Sequence, residues 1–441
     1  MNSAAPSAAP GERPTTVRHR VLLMLFVTVV INYMDRSNLS VAATSLAHDL
    51  ALNPVRLGKL LAAFGLAYAT LQVPGGWLVD RASPRVLYAV ICALWSVATI
   101  LQGFAGTFLI LYSLRLLLGA FEAPAYPICN RVVTAWFPES ERAGAIGCYT
   151  SGQFVGLAFL TPLLLLAQKS LGWQFVFIIT GLAGLVWAGL WFLLYRDPAE
   201  SRHINRTEFD YIKAGGGLVE AGQNPGAAKS KFSWADLGLI LSSRKLWGIY
   251  LGQYALTSTL WFFLTWFPTY LINYRHFDLS QSGILSSLPF LATSLPFLAA
   301  FAGILCSGFL SDRMVRRGIS PTTARKVPII CGLLLSTTII GANYVEDHRL
   351  IILFLALSFF GNGFASITWV LVSLLAPRRL LGLTGGVFNF IGNLSSITVP
   401  WIIGHLVSGT NFTPALTFIG GLALLGALSY VFLVGRIERI E

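Results

Sequence analysis

Twelve long apolar segments constrain this sequence more than any other feature. A helix needs about 20 mostly apolar residues to cross a membrane. Only 11% of the 441 residues are charged, against about 25% in an ordinary soluble domain. The predicted fold class is therefore an all-α membrane protein with twelve transmembrane helices. The segments cover 21–45, 57–79, 85–105, 107–134, 142–167, 172–195, 246–272, 281–311, 324–344, 349–376, 380–407 and 412–435.

A polar, glycine-rich break divides these segments into two sets of six, which predicts two six-helix halves joined by a linker. No cleavable signal peptide is expected, because the first apolar segment is long enough to span the bilayer. The predicted domains are a disordered cytoplasmic N-terminus 1–20, an N-terminal half 21–195, a cytoplasmic linker 196–245, a C-terminal half 246–435 and a cytoplasmic tail 436–441.

The distribution of basic residues predicts the orientation. With the N-terminus in the cytoplasm, only five of the 31 Lys and Arg residues fall on the outer side. They are Arg56, Lys59, Lys169, Arg275 and Arg349. Loops on the cytoplasmic side of membrane proteins are enriched in Lys and Arg, so both termini are expected to be cytoplasmic. The net charge of +12 follows from these loops and does not indicate nucleic-acid binding.

The two halves contain a repeated motif. Gly76-Trp-Leu-Val-Asp80-Arg81 follows the second segment, and Gly308-Phe-Leu-Ser-Asp312-Arg313 follows the eighth. Duplicated halves are typical of secondary transporters, which hold the substrate between the halves near the membrane midplane. The chain has no GxxxxGK[ST] loop, so direct use of ATP is not expected. Its five cysteines are isolated in apolar segments, so no metal site is expected.

These motifs resemble those of a known family. The GxxxDR motif in both loops is similar to the loop signature of the major facilitator superfamily. The stretches NYMDRSNLSVA, FEAPAYPICNRVV, YTSGQFVGLAFLTPLL, GNGFASITWVLVSLLAP and LTGGVFNFIGNLSSITVP resemble its anion:cation symporter branch, from about residue 20 to the end. The resemblance is greatest to bacterial sugar-acid carriers of the D-galactonate type. It implies the two-half major facilitator fold in a bacterial inner membrane.

Four charged residues fall deep inside the apolar segments: Asp35, Arg36, Arg115 and Glu122. A charge at the centre of a membrane helix costs about 2.5–3.5 kcal/mol on insertion scales, so each needs an explanation. At 1.5 Å per residue, Asp35 lies about 21 Å along the first segment and Glu122 about 22 Å along the fourth. Arg115 and Glu122 are two turns apart and share a face. Both segments therefore place charges near the midplane.

The chemistry of these groups suits the transport of an anion with a proton. The planar fork of Arg can bind a carboxylate through two parallel hydrogen bonds. A buried carboxyl group can change its protonation when a neighbouring charge arrives or leaves. The structural alternative is that Asp35 and Arg36, and likewise Arg115 and Glu122, form permanent ion pairs that hold helices together.

The resemblance implies a role for each position. Asp35 and Glu122 would be the protonation sites, Arg36 would bind the substrate carboxylate, and Arg115 would link the two sites. Asp80, Arg81, Asp312 and Arg313 would hold the inner gating loops in the outward-facing state. Neutral groups would recognise the hydroxyls, and by family position these are Tyr33, Tyr68, Gln153, Ser366, Thr368, Trp369 and Asn389. For the neutral groups the alternatives are interhelical hydrogen bonds and lipid-interface anchoring.

We therefore predict a non-enzymatic, proton-coupled symporter that imports a D-galactonate-like hexonate by alternating access. The alternatives are transport or exchange of another organic anion, such as a hexuronate, glucarate or tartrate, and a membrane sensor with a transporter-like scaffold. No cofactor is expected, because the proton gradient would be the driving force. The expected partners are a small organic anion, protons and membrane lipid, without nucleic acid, and the chain is expected to function as a monomer.

Overall fold

The computed structural model describes residues 13–79, 81–219, 234–277, 288–377, 380–407, 409 and 411–439. Within these ranges the chain is almost entirely helical and contains no β-strand. Asp80 lies outside the described residues, as do parts of the predicted segments 1–20, 196–245 and 281–311. Asp312 is placed within a helix, but its side chain is not described.

In the described part of the chain, the N-terminal half consists of seven helices. They are α1 (Val17–Asp49), α2 (Pro54–Val79), α3 (Pro84–Gln102), α4 (Phe108–Glu122), α5 (Ala125–Trp136), α6 (Glu139–Leu171) and α7 (Trp173–Leu194). Helices α4 and α5 together fill the predicted fourth segment. Within the predicted linker, α8 (Arg206–Ala214) and α9 (Trp234–Ser242) are helical. We call the side of the bundle where α1 begins the terminal side, and the side where α1 ends the far side.

The C-terminal half repeats this arrangement with more breaks. Its helices are α10 (Arg244–Thr265), α11 (Phe267–Thr269), α12 (Leu288–Arg316), α13 (Pro321–Ser336), α14 (His348–Ala365), α15 (Thr368–Leu375), α16 (Leu381–Asn393), α17 (Ser395–Leu406) and α18 (Thr413–Phe432). A π-helical turn, Tyr270–Tyr274, continues α11, and a 3₁₀ turn, Thr337–Asn343, continues α13.

Most of the predicted segments correspond to helices that can cross a membrane. Ten helical units in the described part of the chain are long and apolar enough, and the bent pair Arg244–Thr265 with Phe267–Tyr274 makes an eleventh. The second predicted segment corresponds to α2, which has 26 residues. The prediction of an all-α membrane protein with many spans is therefore confirmed, whereas the count of twelve transmembrane helices stays a prediction.

Several spans are broken near their middle, where proline removes backbone hydrogen bonds. Pro124 separates α4 from α5 and leaves Glu122 as the last residue of α4. Pro268 follows the bend between α10 and α11, which meet at 57°. Broken helices expose backbone groups at the depth where transporters bind their substrates.

The two halves pack closely through α2 and α17 on the far side. A Cβ atom on Gly58 would lie 2.6 Å from the carbonyl oxygen of Pro400, and one on Gly404 would lie 2.7 Å from that of Pro54. Only glycine permits this approach. Gly65 lies two turns further along α2, and a Cβ atom on it would lie 2.3 Å from the Ser396 hydroxyl oxygen. The far side is therefore closed.

Three glycines near the terminal side have no close neighbour among the described residues. Gly76, Gly144 and Gly308 lie near the terminal-side ends of α2, α6 and α12, and within the described chain no atom lies within 4 Å of a Cβ position built on them. The close approach between the halves that α2 and α17 make on the far side is therefore not repeated at these three glycines.

Helix α1 begins at Val17, inside the segment predicted to be a disordered tail, because Glu208 of α8 caps it. The carboxylate accepts hydrogen bonds from the backbone N–H of Val17 at 3.1 Å and from the Thr15 hydroxyl at 2.6 Å. It also forms a 3.0 Å ion pair with Arg18. A carboxylate at a helix N-terminus satisfies unpaired N–H groups and complements the helix dipole.

Candidate functional site

A buried ion pair between α1 and α4 lies at the centre of the N-terminal half. Arg36 Nε donates to Glu122 Oε2 at 2.9 Å, and both side chains are almost fully buried. The second carboxylate oxygen of Glu122 and the Nη2 of Arg36 have no hydrogen-bond partner among the described residues. Each group therefore retains a free hydrogen-bonding position at the site.

Arg36 lies among aromatic rings as well. Its guanidinium carbon is 4.8 Å from the ring centroid of Tyr33, 5.0 Å from that of Phe64 and 4.7 Å from that of Tyr68. Cation–π contacts with a desolvated guanidinium contribute about 2 kcal/mol or more. They also hold the planar group in one orientation. The predicted substrate residues Tyr33, Arg36 and Tyr68 are thus brought together.

Arg115 lies beside this pair without joining it directly. Its guanidinium carbon is 5.6 Å from the Phe64 ring centroid, and its charge attracts both Glu122 and Asp35. Its Nε and Nη1 have no hydrogen-bond partner in the described part of the chain. Arg115 is therefore a buried cation that interacts electrostatically with both carboxylates, and its linking role stays a prediction.

Asp35 points away from Arg36, because adjacent residues on a helix differ by about 100° in direction. It faces α3 and α7, where the indole Nε1 of Trp95 donates to Asp35 Oδ2 at 3.1 Å. The other oxygen, Oδ1, has no partner among the described groups. Neither ion pair of the structural alternative is present among the described contacts. The ion pair that does form, Arg36–Glu122, takes one residue from each of those two pairs.

The C-terminal half contributes neutral polar groups. The Thr368 hydroxyl donates to Gln253 Oε1 at 2.9 Å, and both residues are buried. Asn389 Nδ2 is 3.4 Å from Gln72 Oε1, so this contact joins α16 to α2 across the two halves. Asn393 donates to the carbonyl oxygen of Asn389 at 3.0 Å. Amide and hydroxyl groups of this kind can exchange their partners for substrate hydroxyls.

The remaining predicted substrate residues are arranged less tightly. Trp369 is half exposed, and its ring packs edge-on against Phe388 at 4.8 Å. Ser366 caps the C-terminus of α14 at the break before α15. Gln153 is half buried on α6. The described contacts do not join these three residues to the Arg36–Glu122 pair.

The described contacts of the gating-loop arginines Arg81 and Arg313 lie within their own helices. Arg81 lies 3.9 Å from the ring centroid of Trp77 and donates to the Trp77 carbonyl oxygen at 3.3 Å. Arg313 lies over Phe309 at 6.0 Å. Each arginine therefore contacts an aromatic residue one turn earlier in its own helix.

Sequence reasoning missed several residues that line or support the site. Phe64 lies under Arg36, and its ring is 6.0 Å from Trp261 of α10, which links the halves. Trp95 binds Asp35, and Gln72 and Gln253 bind predicted site residues. These four residues lie outside any charged motif, so the sequence reasoning did not single them out. The sequence did contain a signal for Gln72 and Gln253, which are amide side chains inside apolar spans. Burying an amide there costs free energy unless the amide has a hydrogen-bond partner.

Comparison with known proteins gives a consistent result. The family model described as Major Facilitator Superfamily matches residues 25–319. The chain is 51% identical over 442 residues to the "D-galactonate transporter" of Escherichia coli O6:H1, covering 100% of both chains. It is 40% identical to the "Probable galactarate/D-glucarate transporter GudP" of Bacillus subtilis (strain 168), covering 100% of this chain and 97% of that one.

Solved structures support the same fold at low sequence identity. A bacterial homolog of the human lysosomal transporter Spinster, in an inward-facing and occupied conformation, superposes with a TM-score of 0.70. It is 17% identical and covers 95% of this chain and 97% of its own. The nucleoside transporter NupG superposes with a TM-score of 0.66 at 12% identity, covering 94% of this chain and 99% of its own.

Proposed function

The chain belongs to the Major Facilitator Superfamily and is a transporter rather than an enzyme, and from that premise we propose that it is a proton-coupled symporter. It imports a sugar-acid anion of the D-galactonate type by alternating access. The relatives named for transport of D-galactonate, galactarate and D-glucarate support an organic-acid substrate.

One observation carries the proposal: Glu122 occupies the hydrogen-bonding edge of Arg36. A substrate carboxylate needs the same edge to form two parallel hydrogen bonds. The two anions therefore compete for one guanidinium. A proton on Glu122 removes its charge and releases Arg36 for the substrate. When the substrate leaves, Arg36 attracts Glu122 again and favours loss of the proton.

Asp35 provides the second proton site in this account. It is fully buried within the N-terminal half and is bound by Trp95 rather than by a cation. Arg115 attracts both carboxylates, so a change of charge at Glu122 changes the electrostatic potential at Asp35. Arg115 thereby couples the proton at Asp35 to the occupancy of Arg36.

The charge inventory favours a substrate with a single carboxylate. Among the described residues, the buried side chains of the C-terminal half are uncharged. A dicarboxylate would need a second cation opposite Arg36, whereas a hexonate needs hydroxyl partners. Thr368, Gln253 and Asn389 are suitable partners for hydroxyls. We therefore favour D-galactonate over an aldarate as the substrate.

The proposed setting is a bacterial inner membrane with both termini in the cytoplasm. The terminal side is then cytoplasmic, and the closed far side faces outward. The described conformation corresponds to an inward-facing state after release, with Glu122 paired to Arg36. Driven by the proton gradient, transport would need no cofactor, and the chain would act as a monomer in the lipid bilayer.

Uptake of radiolabelled D-galactonate into proteoliposomes tests the proposal. An inward proton gradient is expected to drive accumulation above the external concentration, and unlabelled sugar acids should compete. Accumulation that is independent of the gradient but requires an internal anion would indicate exchange. Absence of D-galactonate uptake in a folded preparation, with uptake of a hexuronate, glucarate or tartrate, would reassign the substrate.

A further inference from the structure

One face of α2 runs along the substrate site. Phe64, Tyr68 and Gln72 are spaced four residues apart, so their side chains share that face. The rings of Phe64 and Tyr68 stack at 5.4 Å, and the guanidinium carbon of Arg36 lies 4.7 Å from the Tyr68 ring centroid. Gln72 lies one turn beyond Tyr68, about 6 Å closer to the terminal side. It therefore borders the site on the terminal side.

The amide of Gln72 meets Asn389 of the opposite half. Asn389 Nδ2 donates to Gln72 Oε1 at 3.4 Å, and both side chains are half-buried. Asn393, one turn later on α16, donates to Asn389 Oδ1 at 3.2 Å and to the Asn389 backbone carbonyl oxygen at 3.0 Å. Because Oδ1 of Asn389 accepts from Asn393, the Nδ2 donor is directed at α2. Gln72 thus engages the donor of an already oriented amide.

Asn389 lies close to the other neutral polar groups of the C-terminal half. The carbonyl oxygen of Gly392 accepts from the Thr257 hydroxyl at 2.7 Å, and a Cβ atom on Gly392 would lie 2.8 Å from Gln253 Cγ. Gln253 in turn binds Thr368. Residues three apart share a face of a helix, so Asn389 lies on the face of α16 that packs against α10. It is therefore near the proposed hydroxyl partners Gln253 and Thr368.

The bond between Gln72 and Asn389 differs from an amide contact that only holds helices together. Gln168 Nε2 donates to Ser45 Oγ at 2.7 Å, and both of these residues belong to the N-terminal half. The bond to Gln72 is longer than a typical N–H···O hydrogen bond. It also joins two bodies that move against each other during alternating access. Such a bond costs little to exchange for a bond to another partner.

We propose that Gln72 takes the place of a substrate hydroxyl at Asn389. When no substrate is bound, Gln72 Oε1 accepts the hydrogen bond from Asn389 Nδ2. A hydroxyl oxygen of the sugar acid accepts that bond instead and displaces Gln72. Glu122 competes with the substrate carboxylate at Arg36 in the same way, so the carboxylate and a hydroxyl each replace an internal partner. The inference rests on the proposed sugar-acid substrate and names a residue that sets its affinity.

Gln72→Met tests the exchange, because methionine has about the shape of glutamine and lacks the amide. The Kd for D-galactonate, measured with the purified protein by isothermal titration calorimetry, is expected to fall about threefold to tenfold. This is the effect of removing one competing hydrogen bond. A residue that contacts the substrate directly would raise the Kd when it is removed. A rise in Kd, or an unchanged Kd, would therefore overturn the exchange.

A double-mutant cycle with Asn389→Met locates the effect. Asn389→Met alone should raise the Kd, because the substrate loses a hydrogen-bond donor. Adding Gln72→Met to Asn389→Met should change the Kd by less than about twofold, since no donor remains for Gln72 to occupy. An equal fall in Kd in both backgrounds would show that Gln72 acts elsewhere and would overturn the exchange.

Gln168→Met is the matched control, because it removes an amide bond within one half on the far side. It should keep the wild-type Kd, and a fall equal to that of Gln72→Met would overturn the exchange. The binding measurement needs no proton gradient, so its result does not depend on proton coupling. Absence of D-galactonate binding by folded wild-type protein would overturn both the exchange and the proposed substrate.

Discussion

Arg36 and Glu122, which are 86 positions apart in the chain, form a buried hydrogen-bonded ion pair of 2.9 Å. Removing one partner of such a pair leaves an isolated buried charge and costs roughly 3–5 kcal/mol. The pair can therefore open at low cost only when a proton neutralises Glu122 or when another anion binds Arg36. Those are the two events that a proton–anion symporter has to couple.

Arg36→Lys should weaken substrate binding strongly. Lysine keeps the charge but loses the planar fork and its fit between the rings of Tyr33, Phe64 and Tyr68. The KM for D-galactonate in counterflow is expected to rise about tenfold to hundredfold. Arg206→Lys is the matched control, since Arg206 lies in an exposed ion pair on α8. An unchanged KM in Arg36→Lys would remove Arg36 from the binding site.

Gly404→Leu should prevent closure of the far side. The new side chain would collide with the backbone of α2, where even a Cβ atom would lie 3.1 Å from the Cα of Gly58. Overpacking of about 1–3 kcal/mol shifts the conformational equilibrium about fivefold to hundredfold. Uptake is expected to fall accordingly, while thiol labels placed at the far-side mouth of the cavity should become more reactive.

The control for this substitution is Gly421→Leu on α18, where nothing in the described chain lies within 4 Å of a Cβ position. Its uptake and label reactivity should match wild type. Wild-type uptake in Gly404→Leu would show that α2 and α17 separate and rejoin without needing this close approach.

Glu208→Gln should lower thermal stability without altering the transport mechanism. The neutral amide loses the ion pair with Arg18 and weakens the cap of α1. A loss of about 3 kcal/mol is expected, which lowers Tm by several degrees. Thermal unfolding followed by tryptophan fluorescence measures this, with Glu200→Gln at an exposed position as the control. Equal Tm values in the two variants would contradict the structural role of Glu208.

The sequence was sufficient to predict the fold class and the residues of the central ion pair. Apolar length identifies membrane helices, and the cost of burying a charge identifies Arg36 and Glu122 as exceptional. Which charges pair was not predictable. The rotation of α1 against α4 decides whether Arg36 or Asp35 faces Glu122, and that rotation depends on packing contacts far apart in the chain.

Supporting residues were harder to predict for a related reason. A tryptophan such as Trp95 in an apolar segment has the composition of a lipid-interface anchor, and its contact with Asp35 exists only once α3 is packed against α1. The break at Pro268 was visible as a proline in the seventh segment. Its effect, a bend of 57°, depends on how α10 and α11 pack.

The most direct test of the account is Glu122→Gln, assayed for both proton-driven accumulation and counterflow of D-galactonate. Glutamine has the shape of the protonated acid and cannot carry a proton through the cycle. The account predicts that gradient-driven accumulation falls to the equilibrium level, while counterflow persists because Arg36 stays available to the substrate. Full proton-driven accumulation by Glu122→Gln would contradict the central claim that this carboxyl group couples proton movement to substrate binding.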